Sequence, residues 1–205
     1  LCDKSYSDIY QSDEYLNKIY HREEDINNVS HAITDYLVKS NQLSLPLADQ
    51  KILGSMFYVV NDIERIGDHA ENFADYTKTE LKHNTGLTGD AKEEIKKMYE
   101  AVSKLLKLSL ESFMAQDGVN TQEDKLAEIA ALEASIDKME RRYQKHHIKR
   151  LAKGDCEPRA GLLFSDMLSE LERIADHSVN IAYSMSDEDE DEMLAAENEA
   201  LATNN

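Results

Sequence analysis

The sequence predicts an all-α fold, an antiparallel helix bundle, and three observations support it. The 205-residue chain contains only 7 Gly and 2 Pro, so residues that favour turns are scarce. Apolar residues recur at spacings of three, four and seven, which is typical of amphipathic helices. A segment rich in carboxylates occurs twice, from Asn61 to Ala74 and from Ser169 to Ala182. This repetition predicts a tandem duplication with one polar site in each half.

Three helices are predicted in the first repeat. A long first helix runs from near Ser7 to about Lys39, and the segment that follows interrupts its pattern. The second helix opens at Pro46, where the missing N–H costs nothing, and continues to about Lys82. The third helix begins with a capping-box pattern, Asp90 followed by Glu93, and stops at Asp117-Gly118.

The second repeat resembles the first but is incomplete. A fourth helix is predicted from Thr121 to Gly154, and a fifth from Pro158 to about Met185. Eight acids and no bases follow Ser186, so we expect a solvated, disordered acidic tail and a last helix that is short or missing. The chain therefore divides into a first repeat, an incomplete second repeat and a tail: 1–118, 119–186 and 187–205.

Composition excludes several classes of protein. The net charge of −18 argues against nucleic acid as a partner, because phosphate backbones would be repelled. The longest apolar run, Met56 to Val60, is far shorter than the roughly 20 residues of a membrane-spanning helix. Cys2 and Cys156 lie far apart, so neither a disulfide framework nor a thiolate metal site is expected. Leu1 in place of Met suggests a processed chain or a domain of a larger protein.

The duplicated segment places oxygen-bearing side chains at intervals of four on each motif helix. Residues four apart lie on the same side of a helix, so each repeat carries one polar stripe. Such a stripe is either a solvated face or a site for a hard cation such as Mg²⁺, Mn²⁺, Ca²⁺ or iron, which would relieve the repulsion between stacked carboxylates. The candidate ligands are Glu64, Asp68 and Asn72 in the first repeat, and Glu172, Asp176 and Asn180 in the second.

Further ligands could come from the long helix that precedes each motif helix. Glu133 and Asp137 are four apart on the fourth helix, and Glu23 and Asn27 occupy the matching positions on the first. An exposed acidic pair without a ligand role is the alternative, and neutral Asn27 makes the two sites unequal.

Two histidines, His69 and His177, also match between the repeats. Each lies about 100° round the helix from the preceding aspartate. We therefore favour structural hydrogen bonds between helices over metal ligation for both. The two arginines that follow the motif glutamates, Arg65 and Arg173, are expected to pair with a nearby acid such as Asp62 or Asp68, or with another helix.

The paired motif resembles the signature of the PhoU family. The resemblance spans residues from about 15 to 185 and rests on Glu64-Arg65-Ile66-Gly67-Asp68-His69-Ala70 and on Glu172-Arg173-Ile174-Ala175-Asp176-His177. It implies tandem three-helix repeats that regulate phosphate uptake. Some members bind metal clusters through Glu/Asp-x-x-x-Asp motifs, which implies iron, Mn, Mg or Zn as cofactor. The positions carried over are Glu64, Asp68, Glu172 and Asp176, with Glu133 and Asp137 as weaker matches.

The stretch from His147 to Asp176 is most similar to the cytoplasmic PhoU-like domain at the C-terminus of bacterial sodium/phosphate cotransporters. The resemblance implies a non-enzymatic regulatory domain at the cytoplasmic face of the cell membrane. Its partner would be a transmembrane phosphate transporter domain, and a homodimer is compatible with the sequence.

Two alternatives to the cotransporter domain remain open. One is a stand-alone PhoU-type negative regulator of an ABC phosphate transporter and its sensor kinase. The other is a ferritin-like di-iron protein, which normally carries Glu-x-x-His on each of two helices. Here the sequence supplies only Glu80-Leu-Lys-His83.

Overall fold

A computed structural model describes residues 13–83, 87–115 and 119–184 of the chain, and these residues form five α-helices. The helices are α1 (Asp13–Ser40), α2 (Leu47–His83), α3 (Gly89–Met114), α4 (Val119–Lys153) and α5 (Pro158–Tyr183). The predicted all-α class is confirmed. The start of the first helix before Asp13, the Asp117-Gly118 stop and the tail 187–205 lie outside the described residues.

The helix ends follow local chemistry, with one correction to the sequence analysis. α4 ends where Gly154 adopts a φ of 76°, the left-handed conformation that favours glycine after a helix. The predicted capping box at Asp90 and Glu93 is wrong, because Thr88 is the N-cap of α3. The Thr88 hydroxyl accepts a hydrogen bond from the backbone N–H of Ala91 at 3.3 Å. Asp90 lies in the first turn instead, where a negative charge favours the helix dipole.

The main hydrophobic core lies between α3, α4 and α5. The largest of its fully buried side chains come from all three helices: Ile95, Met98 and Leu105, Ile129 and Ile136, and Phe164, Met167, Leu168 and Leu171. α5 is the central helix, because it packs against α2, α3 and α4. α1 packs mainly on α2, so α1 and α2 form a hairpin attached to the core through α5.

The packing of α3 crosses the division predicted from the sequence. α3 follows the first motif helix in the chain, yet it packs mainly on α4 and α5. Residues 119–184 provide two helices of that core, and the first half provides the third. The division at residue 118 stays a prediction about the sequence repeat, while the folded core mixes both repeats.

The α1–α2 hairpin has less cover. Ile33 of α1 is 40% exposed, whereas Tyr143, 110 positions later at the equivalent turn of α4, is only 6% exposed. Since α3 packs on α4, this difference shows the effect of a third helix. Within the described residues, every helix is either too short or too polar to cross a membrane.

Candidate functional site

The two motif helices bring their duplicated residues together across one antiparallel interface. Asp62 and His69 are seven residues apart, about two turns, and therefore share a face of α2. Glu170 and His177 repeat this spacing on α5. Since α2 and α5 run in opposite directions, each histidine faces the carboxylate of the other repeat. His69 Nδ1 lies 2.5 Å from Glu170 Oε2, and His177 Nδ1 lies 2.8 Å from Asp62 Oδ1.

Further donors surround each carboxylate of this crossed pair. Glu170 also accepts hydrogen bonds from the Asn72 amide at 3.2 Å and from the Tyr76 hydroxyl at 3.3 Å. A carboxylate only accepts, so His69 donates through Nδ1–H. The two imidazole rings stack with their centroids 5.4 Å apart. These side chains form a polar network that joins the two repeats across the α2–α5 interface, and we call it the crossed network.

Asp62 is the less fully bonded of the two carboxylates. Among the described residues, it accepts besides His177 only a long contact of 3.5 Å from the Asn180 amide. Asp62 and Glu170 are each 7% exposed, so both are buried charges that depend on these donors. The internal duplication has therefore produced two related but unequal halves of one network.

The expected structural role of His69 and His177 is confirmed by these hydrogen bonds. Their partners, Asp62 and Glu170, were not predicted from the sequence. A signal was present, because both carboxylates stand seven residues before a matched histidine and are separated by 108 residues, as the histidines are. Recognising that signal required knowing that α2 and α5 pack in antiparallel contact.

The carboxylates of the second polar stripe, Glu172 and Asp176 on α5, face α4, and we call them the second acidic stripe. Burial, followed by the neighbouring carboxylates of Asp137 and Asp176, raises the pKa of Glu133. Burial and then Asp137 raise the pKa of Asp176, against a smaller lowering effect of His177. Burial raises the pKa of Glu172 as well, and among the charged neighbours Asp176 has the largest effect. Four candidate ligands from α4 and α5 therefore lie close enough to repel one another.

The first acidic stripe is less concentrated. Glu64 lines an open depression of about 330 Å³ between α1 and α2, together with Asn27. The Asn27 amide donates to Glu23, so this pair forms a bond within α1. Asp68 pairs with Arg65 at 3.4 Å, which confirms the expected role of that arginine. The substitution of Asn27 for a carboxylate leaves this half with fewer charged oxygens.

The amides of both stripes are used at the interface between α2 and α5. Asn72 donates to Glu170 and Asn180 contacts Asp62, so each amide nitrogen belongs to the crossed network. A ligand role for either asparagine stays a prediction. On α4, opposite the second stripe, Asp137 forms an ion pair with Arg141 at 2.8 Å.

The donor chemistry between α4 and α5 fits a hard cation. Glu172 and Asp176 of the second stripe, and the α4 pair Glu133 and Asp137 that faces them, offer carboxylate oxygens. Burial, and after it the neighbouring carboxylates, raises the pKa of Glu133, Glu172 and Asp176, and a cation would offset the repulsion between these carboxylates. The four side chains do not surround a common point in this structure. Across the described ranges, no group of three or more His, Cys, Asp or Glu residues is arranged to hold a metal ion.

Sequence comparison gives matches in both repeats. The PhoU domain family model matches residues 2–77 and 95–185. The chain is 24% identical over 136 residues to a protein from Thermotoga maritima named phosphate-specific transport system accessory protein PhoU homolog 1. That alignment covers 63% of this chain and 56% of the relative, so the chain matches just over half of the relative's length.

Two solved structures share the fold. The crystal structure of PhoU from Pseudomonas aeruginosa superposes with a TM-score of 0.71 at 23% identity, covering 82% of this chain and 78% of that one. The phosphate transport system regulatory protein PhoU from Streptococcus pneumoniae gives a TM-score of 0.69 at 23% identity, covering 84% and 80%. At this identity the two structures establish the similarity of fold alone.

Proposed function

The chain belongs to the PhoU domain family, and we propose that it regulates the transport of inorganic phosphate. It is a regulatory protein and not an enzyme. The observation that carries the proposal is the family match across both repeats, which includes both copies of the duplicated acidic segment. The name of the Thermotoga maritima relative, an accessory protein of a phosphate-specific transport system, supports the same function.

We place the protein at the cytoplasmic face of the membrane, in contact with a phosphate transporter. The reported relatives are all named PhoU, and none is named as part of a sodium/phosphate cotransporter. These names favour a PhoU-type negative regulator of an ABC phosphate transporter and its sensor kinase. The cytoplasmic domain of a sodium/phosphate cotransporter is the second candidate, supported by the similarity of residues 147–176 to that group. A second copy of the chain is a further candidate partner.

The second acidic stripe is proposed as the stronger metal site. Glu133, Asp137, Glu172 and Asp176 would hold a hard cation such as Mn²⁺, Mg²⁺ or iron between α4 and α5, with zinc as the less suitable ion for an all-carboxylate set. The bound cation would neutralise the repulsion among these carboxylates, which adds to the effect of burial in raising the pKa of Glu133, Glu172 and Asp176. Glu64 and Asp68 would form a weaker site, since Asn27 replaces one charge and Arg65 competes for Asp68.

The regulatory proposal is tested by phosphate uptake in cells that lack this chain. If it is a negative regulator, deletion should raise uptake of labelled phosphate in phosphate-rich medium, and the wild-type gene should restore repression. Removing the ABC transporter or the sodium-coupled transporter in the same background identifies which system is regulated. Uptake that is the same with and without the chain, in both rich and poor phosphate, would refute the proposal.

The metal sites are tested by elemental analysis of protein purified without chelator. Glu172→Ala/Asp176→Ala should lose more metal than Glu64→Ala/Asp68→Ala, and both should lose more than the exposed control Glu24→Ala/Asp25→Ala. A wild-type protein that neither retains metal nor binds added Mn²⁺ or Fe²⁺ would rule out both sites, without bearing on the uptake experiment.

A further inference from the structure

The outer face of α4 carries a row of cations in a strongly acidic protein. Between Lys138 and Lys153 the chain has seven Lys or Arg residues and one acid, Glu140, against a net charge of −18 for the whole sequence. Five of these cations fall within about 80° of one another at 100° per residue and extend over roughly 22 Å of helix. All five are exposed, and we call them the basic stripe: Lys138, Arg142, Lys145, Lys149 and Lys153.

The basic stripe lacks the neutralising partners that its neighbours have. His146 Nδ1 and Arg150 lie 2.6 and 2.8 Å from the two oxygens of Glu94 on α3, so these two residues turn inward. Arg141 pairs with Asp137 at 2.8 Å. In the described part of the chain, none of the five stripe cations has an acidic side chain within ion-pair distance. All of them except Lys153 border a shallow surface depression of about 370 Å³.

Large apolar side chains are exposed at the same end of the molecule. Ile148, one residue before Lys149, is 63% exposed and lies about 60° round the helix from Lys145. Leu162, in the second turn of α5 directly after the short α4–α5 connection, is 65% exposed. Asp155 and Glu157 in that connection bring negative charge, which Lys153 and Arg159 offset.

From this combination we infer that the outer face of α4 and the α4–α5 end dock on an anionic phospholipid surface. Exposed Lys and Arg attract acidic headgroups, and adjacent apolar side chains enter the boundary of the acyl chains. The acids elsewhere do not prevent this contact, because charges beyond about 8 Å are largely screened at physiological ionic strength. An acidic protein segment would use the cations but would leave Ile148 and Leu162 unexplained. The inference does not depend on phosphate regulation.

The test is co-sedimentation of the purified chain with vesicles at 100 mM salt. We expect binding to phosphatidylcholine vesicles that contain phosphatidylglycerol, and little binding to phosphatidylcholine alone. Each cation at such a surface contributes roughly fivefold in affinity. Lys138→Gln/Arg142→Gln/Lys145→Gln/Lys149→Gln should therefore weaken binding by about a hundredfold or more. Ile148→Ser/Leu162→Ser should weaken it by about tenfold with the charge unchanged.

Matched controls separate the surface from net charge. Lys18, Lys96, Lys104 and Lys107 are exposed, and each pairs with a glutamate. Changing all four to Gln gives the same net charge as the stripe variant, −18 − 4 = −22, and should leave binding within about twofold. Val29→Ser/Leu47→Ser, at residues 57% and 71% exposed on the α1–α2 hairpin, controls for the apolar variant. Circular dichroism melts confirm that each variant folds.

Three outcomes would overturn the inference. The first is equal binding by the stripe variant and its charge-matched control. The second is a wild-type chain that binds a Glu/Asp-rich peptide but not the anionic vesicles at the same salt concentration. The third is vesicle binding that inorganic phosphate abolishes while sodium chloride of equal ionic strength does not, which would assign the stripe to free phosphate.

Discussion

Replacing Glu170 with alanine should destabilise the fold more than any other single change in the crossed network. The substitution removes one acceptor and leaves three donors without their partner: buried His69, partly buried Tyr76 and exposed Asn72. Leaving a buried donor without its acceptor typically costs about 1–3 kcal/mol, and the loss of the two further hydrogen bonds adds to this cost. For Asp62→Ala we expect about 1–2 kcal/mol, because one of its two contacts is long at 3.5 Å.

Urea denaturation followed by circular dichroism measures both losses. The control is Glu100→Ala, an exposed residue whose contact with Lys96 spans 4.0 Å, and it should change stability by less than about 0.5 kcal/mol. A double-mutant cycle of Glu170→Ala with His69→Ala should give a coupling energy of about 1–3 kcal/mol. The reasoning is refuted if Glu170→Ala costs no more than the control, or if the two substitutions are additive.

The other predictions concern close packing and the second acidic stripe. Gly161→Ala should destabilise the fold by about 1–3 kcal/mol, because the new Cβ would lie 2.4 Å from Cε1 of buried His147. At Gly54 a Cβ meets nothing within 4 Å, so Gly54→Ala should stabilise α2 by about 0.5–1 kcal/mol. Equal melting temperatures for these two variants would contradict the packing argument. Glu172→Gln should raise the melting temperature at pH 7 and have no such effect at pH 4. In the folded protein, burial and then Asp176 raise the pKa of Glu172 above its ordinary value of 4.5. The charge of Glu172 therefore destabilises the fold above the raised pKa, and this cost disappears as the pH falls towards 4.5. As a control, Glu24→Gln at an exposed position should leave the melting temperature unchanged at both pH values. A fall in the melting temperature of metal-free Glu172→Gln protein at pH 7 would be evidence against the repulsion.

The order and type of the helices could be predicted because they are encoded locally. Pro46, Gly154 and Pro158 mark helix boundaries by their own backbone restrictions, and the apolar period of each helix is visible over several turns. The N-cap of α3 was missed by two residues, since Thr88 and Asp90 are both good capping residues and the choice depends on which backbone N–H is free.

The position of α3 could not be predicted from the same signals. Its buried row, which includes Ile95, Met98 and Leu105, specifies that one face must be covered but not by which helices. The sequence repeat groups α3 with α1 and α2 in residues 1–118. It packs instead mainly on α4 and α5, where the large side chains of α5 such as Phe164 and Leu168 complete the core.

The candidate site was only partly predictable for a related reason. The stripes follow from spacing within one helix, and so Glu172 and Asp176 could be placed on one side of α5 in advance. Whether Glu133 and Asp137 face them depends on how α4 and α5 pack, which the sequence does not encode locally. The partners of the histidines depend on the antiparallel register of α2 and α5, and that register emerges only when the whole bundle is assembled.

The crossed network and the stripes occupy neighbouring positions, which gives a physical route between the repeats. Asp68 directly precedes His69, and Asp176 directly precedes His177, so each candidate metal ligand shares a helical turn with a residue bonded to the other repeat. If the second stripe binds a cation, drawing Asp176 towards α4 would act on the same turn of α5 that holds Asp62 of α2. That coupling requires the His177–Asp62 contact. Metal binding by Asp62→Ala protein, which cannot accept from His177, should therefore persist while its stabilising effect on the first repeat, measured by amide hydrogen exchange in α2, is lost.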